Sequence, residues 1–128
     1  MIQVAKDRPL IMPILLTGSV ISLGLLIYLF GNFREEQAVK KCLEALKRED
    51  LISAYQLWGP TEEYTYQDFL KDWGAQGYYG QVEHFHILRS KWKGSGVIVV
   101  VQINNLRKPI AFWVERQNRT IGFSPTDL

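Results

Sequence analysis

The sequence predicts an α+β protein: an N-terminal transmembrane helix, then a domain of three helices and a four-stranded antiparallel sheet. Three observations lead to this prediction. An apolar stretch without a charged residue covers 10–30, apolar residues recur at helical spacing after it, and from Gln81 the apolar period changes to two. Helices in one block followed by strands in another are typical of α+β domains, in which the helices pack on one face of the sheet.

Length and composition exclude several function classes. The chain has 128 residues, 15 Lys and Arg against 13 Asp and Glu, and one cysteine. Nearly balanced charge disfavours a general nucleic-acid binder, so no nucleic acid is expected as a partner. A single thiol excludes an intramolecular disulfide and a multi-cysteine zinc site, and no cofactor is expected. The length fits one small domain after the apolar stretch.

The apolar stretch 10–30 is interpreted as a single-pass membrane anchor. At about 1.5 Å rise per residue it matches a hydrocarbon core of ~30 Å. The alternative, a buried helix of a soluble protein, would need a larger chain to surround it. Residues 1–9 would form a short tail, and the domain 31–128 is expected on the outer, periplasmic or lumenal, side of the membrane.

One pair of small residues in this stretch could mediate helix packing. Gly18 and Ser22 have the small-xxx-small spacing that lets another helix approach closely. A helix that faces only lipid is the alternative, because such pairs are frequent in apolar segments.

The first helix after the apolar stretch is predicted to begin near Asn32. Asn32 and Glu35 have the spacing of a capping box. Cys42 lies within the apolar stripe of this helix, so it is predicted to be a core residue rather than a nucleophile. The stripe consists of Val39, Cys42, Leu43 and Leu46.

Two shorter helices are predicted next. Asp50 can cap the first of them, and Gly59 ends it. Thr65 and Asp68 form a capping box that opens the other, for which Gly74 is a suitable end.

Four strands in hairpin order are predicted for the remainder. The first starts at Gln81, and Val97–Ile103 is a β-branched run typical of a central strand. Ile110–Glu115 and Thr120–Phe123 follow after turn residues. Sequential hairpins produce an antiparallel meander.

The order of these elements resembles the small NTF2-like (cystatin-like) domains over roughly residues 33–124. Many members end near a Trp-x-Ile element, where this chain has Arg119-Thr120-Ile121 without a tryptophan. The resemblance implies a sheet curled around a pocket. It leaves the function open, because the superfamily contains enzymes, binding modules and assembly factors. The residues that carry the resemblance are Glu49-Asp50, Ala54-Tyr55, Thr65 and Phe69.

Two histidines are the candidates for a catalytic pocket. His84 and His86 lie two residues apart on a predicted strand and therefore share a face. The ordinary pKa of histidine suits a general base, but no third residue at ligand spacing completes a metal site. Exposed strand residues are the simpler interpretation, so no catalytic activity is expected. A pocket enzyme or small-ligand-binding module remains the alternative function.

Exposed aromatic residues are the candidates for partner binding. Tyr78 and Tyr79 lie in a glycine-flanked loop, and Trp92 lies on the first predicted strand. Tyrosine and tryptophan are enriched in interface hot spots.

A basic row accompanies them. Arg89, Lys91 and Lys93 share a face of the first strand, and Arg107 and Lys108 lie on a later turn. With Trp92 nearby, these charges could contact lipid headgroups or an acidic partner. A solvated sheet edge whose charges prevent edge-to-edge pairing is the preferred interpretation. The predicted function is a non-catalytic accessory or assembly subunit of a larger membrane protein complex, which acts by protein–protein interaction. Its expected partners are other membrane-protein subunits and, through residues 10–30, the lipid bilayer.

Overall fold

The chain forms two compact units, Met1–Phe33 and Arg34–Leu128. The computed structural model describes the backbone of residues 2–126 and the side chains of 11–27 and 30–126. In chain order the elements are α1 (Ile2–Phe30), α2 (Phe33–Lys47), α3 (Leu51–Trp58), α4 (Tyr66–Trp73), β1 (Phe85–Lys93), β2 (Gly96–Ile103), β3 (Ile110–Glu115) and β4 (Ile121–Phe123).

The helix α1 contains the apolar stretch 10–30. Among the residues that the structure describes, no helix is long and apolar enough to cross a membrane. On this finding the predictions of a transmembrane anchor and a membrane location are wrong.

Two further expectations concern this part of the chain. The packing role predicted for Gly18 and Ser22 stays a prediction; both residues are exposed in α1. The side chains of the predicted tail, 1–9, and of Leu10 lie outside the described residues.

The fold class is α+β, with four helices and a four-stranded antiparallel sheet in the described residues. The predicted combination of a transmembrane helix and a three-helix domain is therefore wrong. The sheet order is β1-β2-β3-β4, so each strand pairs with its neighbour in the chain. Central strand β2 is buried along most of its length, and its residues Val97, Val99 and Val101 belong to the hydrophobic core.

Local capping contacts begin the two short helices, as the sequence predicts. The Asp50 side chain accepts a hydrogen bond from the Ser53 N–H at 3.2 Å at the start of α3. Thr65 and Asp68 form a complete capping box at the start of α4. These contacts satisfy backbone N–H groups that have no partner within the helix.

The strand β1 begins at Phe85, later than the predicted start at Gln81. Before this start, the side chain of Asn104 forms hydrogen bonds with backbone groups of residues 81–84. Its Oδ1 accepts hydrogen bonds from the N–H groups of Glu83 and His84, at 2.8 and 3.1 Å, and its Nδ2 donates to the Gln81 carbonyl at 2.8 Å. These side-chain contacts take the place of strand pairing at Gln81 and Glu83, whereas the His84 carbonyl still accepts a hydrogen bond from the Asn104 N–H at 2.8 Å.

A register shift between Ile87 and Arg89 interrupts the pairing of β1 with β2. The alternation of side chains reverses at this irregularity. Arg89 therefore lies on the face opposite to Ile87, although a regular strand would place them together. Beyond the shift, Trp92 is registered with Val97 on the core side, and Lys91 lies on the other face.

Aromatic rings dominate the core between the helices and the last two strands. The Trp58 ring lies 5.7 Å from Phe69, 6.2 Å from Trp73 and 5.9 Å from Phe112, measured between ring centroids. Such pairs add about 0.5–1.5 kcal/mol each beyond the burial of their area. The cluster continues to the surface at Phe123, which is partly exposed.

Candidate functional site

An open groove lies where the loop 74–80, the turn 104–109 and the end of β4 meet. Its volume is about 530 Å³, within the range of about 300–1,000 Å³ that is usual for ligand sites. Tyr78, Tyr79 and Phe123 supply its aromatic surface, and Arg107 and Lys108 supply its charge. We call these five residues and the space between them the aromatic–basic groove.

Backbone hydrogen bonds hold the loop 74–80 against the end of α4. The N–H groups of Tyr78 and Tyr79 donate to the carbonyls of Lys71 and Asp72, each at 2.8 Å. Gly77 is required for this approach, because a Cβ there would lie 2.7 Å from the Asp72 carbonyl group. The position of both tyrosines is therefore determined by the helix that precedes them.

The two tyrosine rings have different surroundings. Tyr79 is half-buried and stacks on Trp73, with ring centroids 4.7 Å apart and planes 27° apart. Its ring also lies 5.6 Å from Phe123. Tyr78 meets Tyr79 edge-on at 4.9 Å and is 83% exposed. The result is an ordered aromatic surface with one ring presented to solvent.

Hydrogen bonding and burial keep the nearby phenols protonated. The Tyr64 hydroxyl donates a short hydrogen bond to Asp72 Oδ2. Burial and then the Asp72 carboxylate raise the pKa of Tyr64 well above its usual range. Burial, followed by the charge of Asp72, also raises the pKa of Tyr79. At neutral pH the Tyr79 hydroxyl is therefore available as a hydrogen-bond donor.

The turn 104–109 presents the two cations of the groove. The Leu106 carbonyl accepts a hydrogen bond from Gln102 Nε2 at 2.8 Å, and the Leu106 N–H donates to Ile103 at 3.1 Å. Arg107 and Lys108 follow and are exposed. Among the described residues that line the groove none is acidic.

The other residues predicted for interaction lie elsewhere. Arg89, Lys91 and Lys93 are exposed on β1, the strand at the opposite edge of the sheet from β4. Trp92 is 63% exposed, and the guanidinium of Arg116 lies 4.8 Å from its ring centroid. The structure thus brings Tyr78 and Tyr79 together with the later turn, and leaves the β1 residues as a separate surface.

The two histidines proposed for a pocket do not line the groove. His84 precedes β1, His86 is registered with Gln102, and both are exposed. Within the part of the chain that the structure describes, no group of three or more His, Cys, Asp or Glu residues could hold a metal ion. Their predicted role in a catalytic pocket stays a prediction.

Two residues have contacts that the sequence did not predict. Glu35, predicted as a capping residue, is buried, and its Oε1 lies 3.1 Å from the Arg116 guanidinium. Phe123 was not singled out from the sequence as a site residue, because its contribution depends on β4 pairing beside β3. The alternation around β4 is too short to signal this role.

Comparisons with known proteins provide no further identification. No family model, curated protein or solved structure matches this chain. The predicted NTF2-like family is therefore unsupported, and we correct that prediction. Function has to be inferred from the geometry of the groove.

Proposed function

We propose that residues 34–128 form a non-catalytic protein-interaction module that binds its partner at the aromatic–basic groove. Tyr78 is the observation that carries this proposal. Its ring is 83% exposed, yet its backbone is hydrogen-bonded to α4 and its ring packs edge-to-face with that of Tyr79.

An exposed and ordered aromatic ring favours binding for two physical reasons. Tyrosine buries a large apolar area when a partner covers it, and its hydroxyl can still form a hydrogen bond. Because the loop is held before binding, little conformational entropy is lost when the partner arrives. Arg107 and Lys108 add polar contacts at the border of this apolar surface.

Site-specific photo-crosslinking tests the proposal. A benzophenone amino acid replaces Tyr78 in the chain expressed in its own cells, and irradiation is followed by identification of the covalent adducts. The matched control places the same group at Ile52, which is 68% exposed on α3.

We expect a discrete polypeptide adduct from position 78 that is absent from position 52. The same adducts from both positions, or none from position 78, would contradict the proposal. Circular dichroism of both labelled chains verifies that each is folded.

A further inference from the structure

We infer that the free edge of β1 binds an extended acidic segment of a partner protein, which adds to the sheet as a further strand. This surface is separate from the aromatic–basic groove, because β1 and β4 lie at opposite edges of the sheet. The inference therefore goes beyond the proposed function. It rests on the direction of the backbone groups of β1 and on the charges of one of its faces.

The pairing of β1 with β2 determines which backbone groups of β1 reach the free edge. In an antiparallel pair, successive residues direct their N–H and C=O groups alternately toward the neighbouring strand and away from it. The His84 carbonyl accepts a hydrogen bond from the Asn104 N–H at 2.8 Å, so the groups of His84 point toward β2. At the other end, Lys93 is registered with Gly96 across a two-residue turn and points the same way.

The alternation places the backbone groups of Phe85, Ile87 and Trp92 at the free edge. Within the described residues β1 has a strand neighbour on one side only, so no strand pairs with these groups. β1 is 9 residues long, whereas β4 at the other edge has 3 residues. An exposed edge of this length is a template on which an extended peptide can form a regular ladder of hydrogen bonds.

Three cations follow one face of this edge strand. Arg89, Lys91 and Lys93 alternate along β1 and are exposed. Their cross-strand neighbours on β2 are uncharged: Val100, Ile98 and Gly96. In the described part of the chain none of the three cations forms a salt bridge, and the Lys93 Nζ lies 3.5 Å from the neutral hydroxyl of Thr126.

Two carboxylates near this strand are engaged by other groups. Glu36 Oε1 accepts a hydrogen bond from the Ser90 hydroxyl at 2.7 Å. Glu115 Oε1 accepts one from Trp113 Nε1 at 2.9 Å, and Glu115 lies on β3, two strands away from β1. The charge of the row is therefore available to a partner.

The spacing of the row fits an extended acidic segment and disfavours a second copy of this chain. In an added strand, side chains on the same face lie about 4.5–5.5 Å from those opposite to them. Asp or Glu at alternate positions of the partner would lie beside all three cations. A second copy paired through β1 would instead place Arg89, Lys91 and Lys93 against the same three residues, and like charges in directly opposite positions repel.

Charge and backbone pairing have different parts in this binding. An exposed ion pair contributes little, because water and salt screen it, so a small anion would be held weakly by the row. The ladder of backbone hydrogen bonds provides affinity to an extended segment, and the charges select an acidic one. The segment would also cover Leu88, which is 43% exposed at the register shift.

Synthetic peptides test the inference without knowledge of the natural partner. A fluorescein-labelled peptide of about nine residues, the length of β1, alternates Glu and Val. A second peptide alternates Lys and Val. Their affinities for the full chain are measured by fluorescence anisotropy.

Two further peptides separate strand addition from simple charge attraction. In an added strand the N–H groups of alternate residues point toward β1, and the remaining N–H groups point toward solvent. One version of the acidic peptide is N-methylated at its Val residues and the other at its Glu residues. Only one of the two versions therefore loses its hydrogen bonds to β1.

Matched variants of the chain locate the binding. Lys91→Glu reverses the central charge of the row. Lys71→Glu makes the same change of charge at an exposed position on α4 and serves as the control. Circular dichroism verifies that both variants are folded.

We expect the Glu–Val peptide to bind and the Lys–Val peptide to bind at least about tenfold more weakly. One N-methylated version should bind at least about tenfold more weakly than the other, because several hydrogen bonds are lost together. Lys91→Glu should weaken binding of the acidic peptide about fivefold or more, while Lys71→Glu leaves the affinity within about twofold.

Each contrary result overturns the inference in a recognisable way. Equal affinities of the Glu–Val and Lys–Val peptides would refute the selection of an acidic segment. Equal affinities of the two N-methylated versions would show that the peptide is held by charge without joining the sheet. No binding of the Glu–Val peptide at about 1 mM would refute the site itself.

Sedimentation velocity of the chain alone tests the remaining occupant. A dimer that the Glu–Val peptide dissociates would assign the β1 edge to a second copy and overturn the inference, whereas a monomer agrees with it. None of these failures concerns Tyr78 or the aromatic–basic groove, so the proposed function would stand or fall by its own crosslinking experiment.

Discussion

The substitution Gly77→Ala perturbs the loop that positions Tyr78. A Cβ at Gly77 would lie 2.7 Å from the Asp72 carbonyl carbon and oxygen and 2.9 Å from the Gly74 nitrogen. All three atoms belong to the backbone, so no flexible side chain can move aside. The loop 74–80 must instead shift away from the end of α4.

The expected cost follows from the contacts that this shift breaks. The N–H groups of Gly77 and Tyr79 donate hydrogen bonds of 2.8 Å to Gly74 and Asp72, and each such bond contributes about 0.5–1.5 kcal/mol. Their loss costs about 2 kcal/mol in all. Alanine restricts the unfolded chain more than glycine does and regains about 0.4–1 kcal/mol. We expect a net decrease of about 1–2 kcal/mol in the free energy of unfolding.

Urea unfolding followed by tryptophan fluorescence measures this change. The four tryptophans all lie in the unit 34–128, so the signal reports the unfolding of that unit. Gly122→Ala is the matched control, because nothing lies within 4 Å of a Cβ there, and its stability should change by less than about 0.5 kcal/mol. If Gly77→Ala were as stable as the control, the close approach of the loop to α4 would be refuted.

Three further predictions concern groups beside or within the core. Glu35→Ala should lower the free energy of unfolding by about 2 kcal/mol. This is less than the loss of a fully buried ion pair would cost, because the Arg116 side chain is 33% exposed. A change below about 0.5 kcal/mol in the same urea titration would contradict the prediction. The pKa of Tyr64 is raised in the folded state, so its contribution to stability is fully present below pH ~10 and is lost as the pH rises through the folded-state pKa. Urea titrations between pH ~10 and ~11 should therefore show a smaller loss of stability for Tyr64→Phe than for the unchanged chain, and equal losses would oppose this prediction. Burial raises the pKa of the Cys42 thiol to about 12. Ellman's reagent at pH ~8 should therefore modify Cys42 at least about 100-fold more slowly in the folded chain than in urea. Similar rates in both conditions would disprove the burial of Cys42.

Features that depend on a few neighbouring residues could be predicted from the sequence. Asp50 and Thr65 begin α3 and α4 because a side-chain oxygen reaches an N–H group of its own first turn. The meander follows from short turns between apolar strands. Such contacts need no information from distant parts of the chain.

Features that depend on tertiary contacts were not predictable in this way. The register shift near Arg89 and the late start of β1 arise from pairing with β2 and from the Asn104 side chain. Glu35 has the spacing of a cap, but its burial and its contact with Arg116 do not follow from that spacing. The apolar run 10–30 suggested a membrane anchor, and the order of helices and strands suggested a family. The findings support neither prediction, because unrelated proteins share such patterns.

The candidate site likewise combines residues that the sequence indicates with residues that only the tertiary structure brings together. Tyr78 and Tyr79 stand out in the sequence as aromatic residues between glycines. Their neighbours Arg107 and Phe123 come from a turn and a strand far along the chain. Only the pairing of β3 with β4 and the packing of α4 bring these residues to one groove.

The most direct test of the central claim is a titration of the crosslinked partner, once identified and purified, against two variants of the chain. If the groove binds the partner, Tyr78→Ala should weaken binding at least about tenfold, as the loss of a hot-spot residue does, and Trp92→Ala should leave the affinity within about twofold. Equal affinities for Tyr78→Ala and the unchanged chain, with both folded, would show that the groove is not the binding surface.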